Sequence, residues 1–187
     1  DLQLFRTRGL FLKQVPKEVN VLPEIANYKY FDMPFTQVIK ENFLRGNWNV
    51  IYRRIQFKFA SQKGKNPSEY EQFQWEPLSK TIDRPPKKYD VAIGFLEKNP
   101  NYFVVDKVDA KKKIGWIQND YIQLKMNADF DCYYFRKLDV IVANSEKSKD
   151  ILMKRFPKFK EKFYHINNII SKDIIRKLSK ESIDFEL

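Results

Sequence analysis

The sequence predicts an α/β fold, in which a doubly wound and mostly parallel sheet has helices on both faces. Three observations favour this class. Short apolar runs recur without polar alternation, which is typical of strands that are covered on both faces. Segments with helical signals lie between the later runs, so strand and helix alternate along the chain. Amide, hydroxyl and carboxylate side chains directly follow the later runs.

Six segments are predicted as strands because they are short, apolar and mostly rich in Val and Ile. Two of them lie near the amino terminus and four lie in the second half of the chain. They are LQLF (2–5), VNVL (19–22), YDVAIGF (89–95), IGWI (114–117), DVIVA (139–143) and FYHI (163–166).

Two helices are predicted in the carboxyl-terminal part of the chain. The first has Ser145 as its N-cap, an acidic residue in its first turn and Pro157 after its end. The second repeats the pattern with Ser171 as its cap. The apolar stripes are Ile151, Leu152 and Phe156 in the first helix, and Ile174, Ile175 and Leu178 in the second.

The first half of the chain is predicted to contain one long helix and one connection. The helix spans 41–62, where apolar residues recur at three- and four-residue steps: Leu44, Trp48, Ile51, Tyr52, Ile55 and Phe59. Two interpretations are open: a core helix with a solvated basic face, or a helix at an anionic membrane surface. In the second interpretation the residues at the membrane are Trp48, Arg53, Arg54 and Lys58. The segment 69–88 is predicted as a connection, because its two adjacent prolines resist helix and internal strand.

The composition restricts the class of protein and of partner. A chain of 187 residues fits one domain of ordinary size, and it starts with Asp1 rather than Met, so we expect a piece of a longer protein. The 35 Lys and Arg against 24 Asp and Glu give a net charge of +11, which favours nucleic acid, anionic lipid or phosphorylated substrates, or serves solubility alone. One cysteine and one histidine exclude an internal disulfide and a zinc site of the usual ligand count. No apolar stretch approaches the roughly 20 residues of a membrane span.

Polar residues gather where the later strands end. Because ligands bind outside the carboxyl ends of the strands in open α/β sheets, these residues predict a crevice. They are Glu97 and Asn99 after the first of these strands, Gln118, Asn119 and Asp120 after the second, Asn144, Ser145 and Glu146 after the third, and Asn167 and Asn168 after the fourth. Each group has a local alternative, which is to cap a helix or to form a turn.

No standard motif names a reaction. The five glycines are scattered and form no phosphate-binding loop. His165 lies in a predicted strand, which favours a core role, and Cys132 has no base beside it, which favours a packed thiol. Glu97 and Asp120 could act as an acid and a base, although two carboxylates on separate loops are a weak signal.

Three stretches in this order bear a resemblance to a known family: 89–121 (YDVAIGFLEKNPNYFVVDKVDAKKKIGWIQNDY), 134–157 (YFRKLDVIVANSEKSKDILMKRFP) and 165–171 (HINNIIS). Together they resemble the amino-terminal, acceptor-binding domain of GT-B glycosyltransferases, most closely the retaining bacterial family usually called family four. Gln118 stands where that family has the His of its IAWIH motif, and Asp120 matches the Asp that follows it. Ser145 matches the serine of the family's vvSe turn, and Asn168 matches the Asn of its PNgid motif.

The resemblance implies transfer of a sugar from a nucleotide-activated donor to a saccharide or lipid-linked acceptor in surface polysaccharide synthesis, with retained anomeric configuration. It implies acceptor contacts from Glu97, Gln118, Asn119 and Asp120, with Ser145 and Asn168 also at the substrate. No metal or other cofactor is expected, because basic residues of a second domain and a helix dipole would offset the pyrophosphate charge. The resemblance places a Rossmann-like domain at 1–171 and the start of an interdomain linker at 172–187, without the nucleotide-sugar domain. Such a fragment is expected to be inactive alone and to lie in the cytoplasm, with peripheral contact to the inner face of an anionic membrane as a further expectation.

Two other classes of function remain open from the sequence. The first is a non-catalytic, basic, Rossmann-like module that binds phosphorylated ligands or RNA, favoured by the net charge. Against RNA, the aromatic residues follow core-like stripes rather than an exposed stacking platform. The second is a catalytically inactive, glycosyltransferase-like subunit, favoured by Gln118 in place of the usual His.

Overall fold

The computed structural model describes residues 1–180 of the chain, and it confirms the predicted α/β class with an all-parallel sheet flanked by helices. Four strands lie side by side in the order in which they occur in the sequence. They are β1 (Lys88–Phe95), β2 (Asp109–Ile117), β3 (Val140–Ala143) and β4 (Phe163–His165).

Seven α-helices and four short 3-10 helices complete the described part of the chain. The α-helices are α1 (Phe35–Phe43), α2 (Trp48–Ala60), α3 (Pro67–Ser79), α4 (Asn99–Lys107), α5 (Ala128–Lys137), α6 (Glu146–Arg155) and α7 (Lys172–Leu178). The 3-10 helices span Leu10–Gln14, Tyr28–Phe31, Ser61–Lys63 and Pro157–Lys162. One α-helix connects each strand to the next, which is the connection that parallel strands require.

The four later predicted strands are confirmed, and the register aligns their ends. Ile114 of β2 pairs with Ile93 of β1 and with Val140 of β3, and Ala143 at the end of β3 pairs with His165 at the end of β4. β2 begins five residues earlier than predicted, because its charged first half, DAKKK, still pairs with β1. All four carboxyl ends therefore meet at one edge of the sheet.

The two strands predicted near the amino terminus are wrong. Within the described residues, that region forms a single parallel bridge, between Leu2 and Val21, apart from the four-stranded sheet. Phe5 packs its ring on Tyr28 and Phe103 instead of adding to a strand. A short apolar run forms a strand only where a neighbour offers a ladder of hydrogen bonds, and here the neighbour offers one bridge.

The helix predicted at 41–62 is wrong as a single element. The chain breaks between α1 and α2, where Gly46 has a φ of 69° in the left-handed region that favours glycine. The backbone N–H of Asn47 donates to the carbonyl of Asn42 at 3.0 Å and so closes the end of α1.

The predicted connection at 69–88 is also wrong over most of its length, since α3 occupies Pro67–Ser79. Asn66 caps this helix by accepting from the N–H of Glu69 at 3.2 Å, and a proline follows at the first helical position. Trp75 and Leu78 of α3 are almost fully buried. The two adjacent prolines lie after the helix, so they restrict the loop before β1 and not α3.

A single hydrophobic core lies between the sheet and the helices. On one face of the sheet its members are Ala92, Ile117, Ile141, Ala143 and Phe163, beneath side chains of α4, α5 and α6. α4 approaches β1 so closely that a Cβ on Gly94 would lie 2.7 Å from the carbonyl oxygen of Pro100. The other face is more open at β1, where Val91, Ile93 and Phe95 are 49%, 52% and 62% exposed.

Candidate functional site

The carboxyl edge of the sheet is organised by a buried carboxylate. Glu97, only 5% exposed, lies just beyond β1 and accepts a hydrogen bond from the backbone N–H of Gln118 at 3.0 Å with one oxygen. Its other oxygen accepts from the side-chain amide of Asn119. The turn is completed by Lys98, whose φ of 65° is unusual for a non-glycine residue. Glu97 therefore joins the loops after β1 and β2.

Gln118 lies at the centre of this edge. Its N–H is held by Glu97, and its carbonyl oxygen accepts from the side-chain amide of Asn144 at 2.6 Å, so the loop after β3 is joined as well. The side-chain amide of Gln118 is partly buried, and within residues 1–180 it has no hydrogen-bond partner. The backbone is thus fixed from two sides while the side chain keeps one acceptor and two donor positions for a ligand.

The role of Asp120 in the structure is local. Its Oδ1 accepts from the backbone N–H groups of Ile122 and Gln123 at 2.9 and 3.1 Å. These bonds begin the turn that leads into α5, which is the capping alternative that the sequence left open. One of the two oxygens is therefore used by the backbone, and a catalytic role for Asp120 stays a prediction.

Ser145 is confirmed as the N-cap of α6. Its Oγ accepts from the backbone N–H of Ser148 at 3.1 Å, and Glu146 occupies the first turn as predicted. The residue lies directly after β3, next to Asn144, which bonds to Gln118. Asn168, the last of the predicted substrate contacts, lies exposed in the loop after β4.

His165 is a residue of this edge for which sequence analysis predicted a core role, and that prediction is wrong. The ring is partly exposed: its Nδ1 lies 3.4 Å from a carboxylate oxygen of Glu146, and its Nε2 lies 2.8 Å from Oδ1 of Asn167. The pKa of Glu146 is lowered by a hydrogen bond from Lys149. The polar residues Asn167 and Asn168, which follow the predicted strand, could have indicated that His165 lies near the strand end.

Cys132, by contrast, packs against the core as predicted, and burial raises the pKa of its thiol.

The four residues predicted for a membrane surface lie in different environments. Trp48 and Lys58 are exposed on α2. Arg54 donates to two backbone carbonyls of the preceding segment, at 3.2 and 3.4 Å, and burial lowers its pKa. Arg53 donates to Gln56 at 2.7 Å. The two arginines therefore have protein partners, whereas the tryptophan side chain is mostly open.

This edge offers amide, hydroxyl and imidazole groups together with three carboxylates, those of Glu97, Asp120 and Glu146. Glu97 and Asp120 place negative charge at this edge, whereas Lys149 pairs with Glu146 at 2.8 Å. The negative charge of the first two carboxylates disfavours a phosphate in contact with them. Amides and carboxylates are well suited to hydrogen-bond the hydroxyls of a neutral polar ligand. The geometry therefore favours a hydroxyl-bearing ligand at the ends of β1 and β2.

The fold defines an α/β domain in which these polar groups lie at the carboxyl ends of parallel strands, the position at which open α/β sheets bind ligands. No known protein family matches the chain, and no curated protein is significantly similar to it in sequence. Among residues 1–180, no helix is both long and apolar enough to cross a membrane.

Proposed function

We propose that this chain is the acceptor-binding half of a retaining GT-B glycosyltransferase, which transfers a sugar from a nucleotide-activated donor to a saccharide or lipid-linked acceptor in surface polysaccharide synthesis. One observation supports this most. The side-chain amide of Gln118 is free for a ligand while the backbone of the same residue is fixed by Glu97 and Asn144. A side-chain amide on a fixed backbone at a strand end can orient one hydroxyl of a sugar.

In this proposal the residues of the edge bind and orient the acceptor. The amide oxygen of Gln118 accepts a hydrogen bond from an acceptor hydroxyl and turns the hydroxyl oxygen towards the donor sugar. Glu97 acts as a positioning residue, because both of its oxygens bond to the neighbouring loop. A second domain would bind the nucleotide sugar and take the charge that develops on the departing diphosphate.

The binding step can be tested on the described chain. We would titrate the isotope-labelled protein with mono- and disaccharides and follow backbone amide resonances. The proposal expects shifts at 118–120 and 144–146. The affinity should be roughly 5- to 150-fold weaker in the Gln118→Ala variant, since a lost hydrogen bond and its partner's desolvation cost about 1–3 kcal/mol. Gln123→Ala is the matched control, because Gln123 is an exposed amide in the adjoining turn. Shifts that are equal in both variants, or absent with every saccharide, would contradict the proposal.

A test of the transfer step uses the longest natural polypeptide that contains this segment. Gln118→Ala in that polypeptide should lower kcat/KM for the acceptor and leave hydrolysis of the nucleotide sugar unchanged. Equal losses in both reactions would place Gln118 outside the acceptor site.

The alternative, a basic module that binds phosphorylated ligands or RNA, is supported by the net charge of +11. It expects binding of single-stranded RNA that weakens steeply with salt, because each neutralised phosphate releases counterions. The same titration with RNA distinguishes the two functions. Shifts confined to α2 and the lysine-rich segments, with none at 118–120, would favour the basic module.

A further inference from the structure

A continuous row of exposed apolar side chains runs along two consecutive helices. We call it the α1–α2 face; its residues are Phe35, Ile39 and Phe43 of α1 and Trp48, Tyr52, Ile55 and Phe59 of α2. They follow one another at three- to five-residue steps, which places those of each helix on one side. Each is between 36% and 57% exposed, although residues of this size are usually buried.

The break between the helices does not interrupt the face. The ring centroids of Phe43 and Trp48 lie 4.7 Å apart in an edge-to-face arrangement across the turn at Gly46. Both helices bury their other sides: Val38 of α1 is fully buried, and Val50 and Ala60 of α2 are nearly so. The exposed row is therefore an additional apolar surface and not the core-facing side of either helix.

The chain segment that forms the α1–α2 face is strongly basic. Residues 33–65 contain seven basic residues: Lys40, Arg45, Arg53, Arg54, Lys58, Lys63 and Lys65. Glu41 is the one acidic residue in this range; it accepts from Gln37 at 3.1 Å and lies 3.9 Å from Lys29. Five of the seven basic residues are exposed, all except the two arginines of α2 that have protein partners.

The open face of the sheet at β1 differs in charge. Around Val91, Ile93 and Phe95, lysines pair with aspartates: Lys88 with Asp109 at 3.4 Å, Lys111 with Asp90 at 2.6 Å and Lys112 with Asp139 at 3.2 Å. An apolar surface with balanced charge does not distinguish one partner class from another. The α1–α2 face combines exposed aromatic rings with an excess of positive charge. This combination favours one class of partner, an anionic one.

We propose that the α1–α2 face docks on an anionic lipid surface. Aromatic side chains with an exposed ring lie favourably at the depth of the headgroups, and lysines beside them reach the phosphates. The two helices would lie in the plane of the interface, with the carboxyl edge of the sheet outside it. This docking stands independently of sugar transfer, since it needs neither Gln118 nor Glu97.

Vesicle sedimentation tests the docking on the whole chain. We would compare vesicles of phosphatidylcholine alone with vesicles that also contain phosphatidylglycerol. Binding should be at least about tenfold tighter to the anionic vesicles, because several basic residues near the surface attract the lipid phosphates, and it should weaken with added salt. Equal binding to both vesicles, or binding to neither, would overturn the proposal.

Two kinds of variant separate the apolar and the basic parts of the face. Trp48→Ala with Phe59→Ala removes rings that are 56% and 57% exposed, and should weaken binding about tenfold or more. Lys40→Gln with Lys58→Gln removes charge without touching the rings, and should weaken binding to anionic vesicles only. Phe95→Ala is the matched control, because its ring is equally exposed but lies on the sheet.

Three results would overturn the assignment of this face. Weaker binding in Phe95→Ala than in the Trp48 variant would move the contact to the sheet. Binding that is unchanged in both the ring variant and the charge variant would exclude the α1–α2 face. Concentration-dependent dimers that the Trp48 substitution abolishes would show that a second copy covers the face. Circular dichroism of each variant confirms its helix content, so loss of binding through unfolding is recognised.

Discussion

The carboxylate of Glu97 and the backbone N–H of Gln118 lie 3.0 Å apart, and their hydrogen bond connects the loops after two neighbouring strands. The pair is separated by 21 residues and one helix along the chain. Because the carboxylate also accepts from Asn119, its two oxygens are both satisfied in a nearly water-free position. A buried carboxylate without such partners would be strongly unfavourable.

Glu97→Gln should lower the free energy of unfolding by about 1–3 kcal/mol, because the new amide group would present donors to the donor of Asn119. Urea denaturation measures this change. Glu76→Gln is the control: its exposed ion pair with Lys80 should contribute less than about 1 kcal/mol. Equal stabilities of the Glu97 variant and the wild type would show that the loops are held by other contacts.

A second buried carboxylate predicts a pH dependence of stability. Asp131 is 1% exposed, and the hydroxyls of Tyr102 and Tyr121 donate to its two oxygens at 2.6 and 2.5 Å. Burial raises the pKa of Asp131 from 3.8 to about 6, and the tyrosine hydrogen bonds only partly oppose this rise. Since the folded pKa is above the unfolded one, the stabilisation is complete below pH 3.8 and is lost as pH rises through about 6.

Asp131→Asn should flatten the dependence of stability on pH between about 4 and 6, because an amide does not titrate. Denaturant midpoints measured for both proteins across this range give the difference. The wild type should lose stability relative to the variant as pH rises. Parallel curves for the two proteins would contradict the raised pKa.

Gly94→Ala should be strongly destabilising, because the new Cβ would lie 2.5 Å from Oδ1 of Asn101 and 2.7 Å from the carbonyl oxygen of Pro100. The second contact is with backbone, so α4 would have to move away from the sheet, at a cost of about 1–3 kcal/mol or more. Gly46→Ala is the control: its φ of 69° costs about 1–2 kcal/mol in strain, but no atom lies within 4 Å of the new Cβ. Thermal unfolding measures the loss of stability in each of the two variants. In NMR spectra, only Gly94→Ala should also shift the backbone amide resonances of α4.

Ser145 can be tested for a role beyond capping α6. Ser145→Ala should cost about 1 kcal/mol in unfolding free energy, because the N–H of Ser148 loses its acceptor. Ser145→Asp should restore this stability, since aspartate is also a favourable cap. If saccharide binding is lost in both variants while stability recovers in the second, the hydroxyl contacts the ligand. If both saccharide binding and stability recover in Ser145→Asp, Ser145 acts only as the cap of α6.

The sequence was informative wherever a local pattern was enough. Ser145 followed by an acidic first turn specified the start of α6, because capping needs only neighbouring residues. The strands β1 and β3 were recognised from runs of β-branched residues. The gathering of polar groups at one edge followed from the topology of parallel strands, without knowledge of any contact.

The errors have specific physical reasons. The three- and four-residue periodicity continues from Leu44 to Trp48 across the break at Gly46, so periodicity alone could not separate α1 from α2. The run at 2–5 has the composition of a strand but lacks a partner for more than one bridge. His165 was assigned to the core because the sequence did not show that β4 ends at this residue.

By itself, the sequence determined the alternation of strands and helices and the polar character of the residues after each strand, because both depend on local patterns. The tertiary structure decided which apolar rows are covered and which polar groups remain free. Trp75 of α3 and Trp48 of α2 both lie in helices, yet one is fully buried and the other is 56% exposed. An amphipathic pattern identifies an apolar side, but burial depends on whether the rest of the chain packs against it.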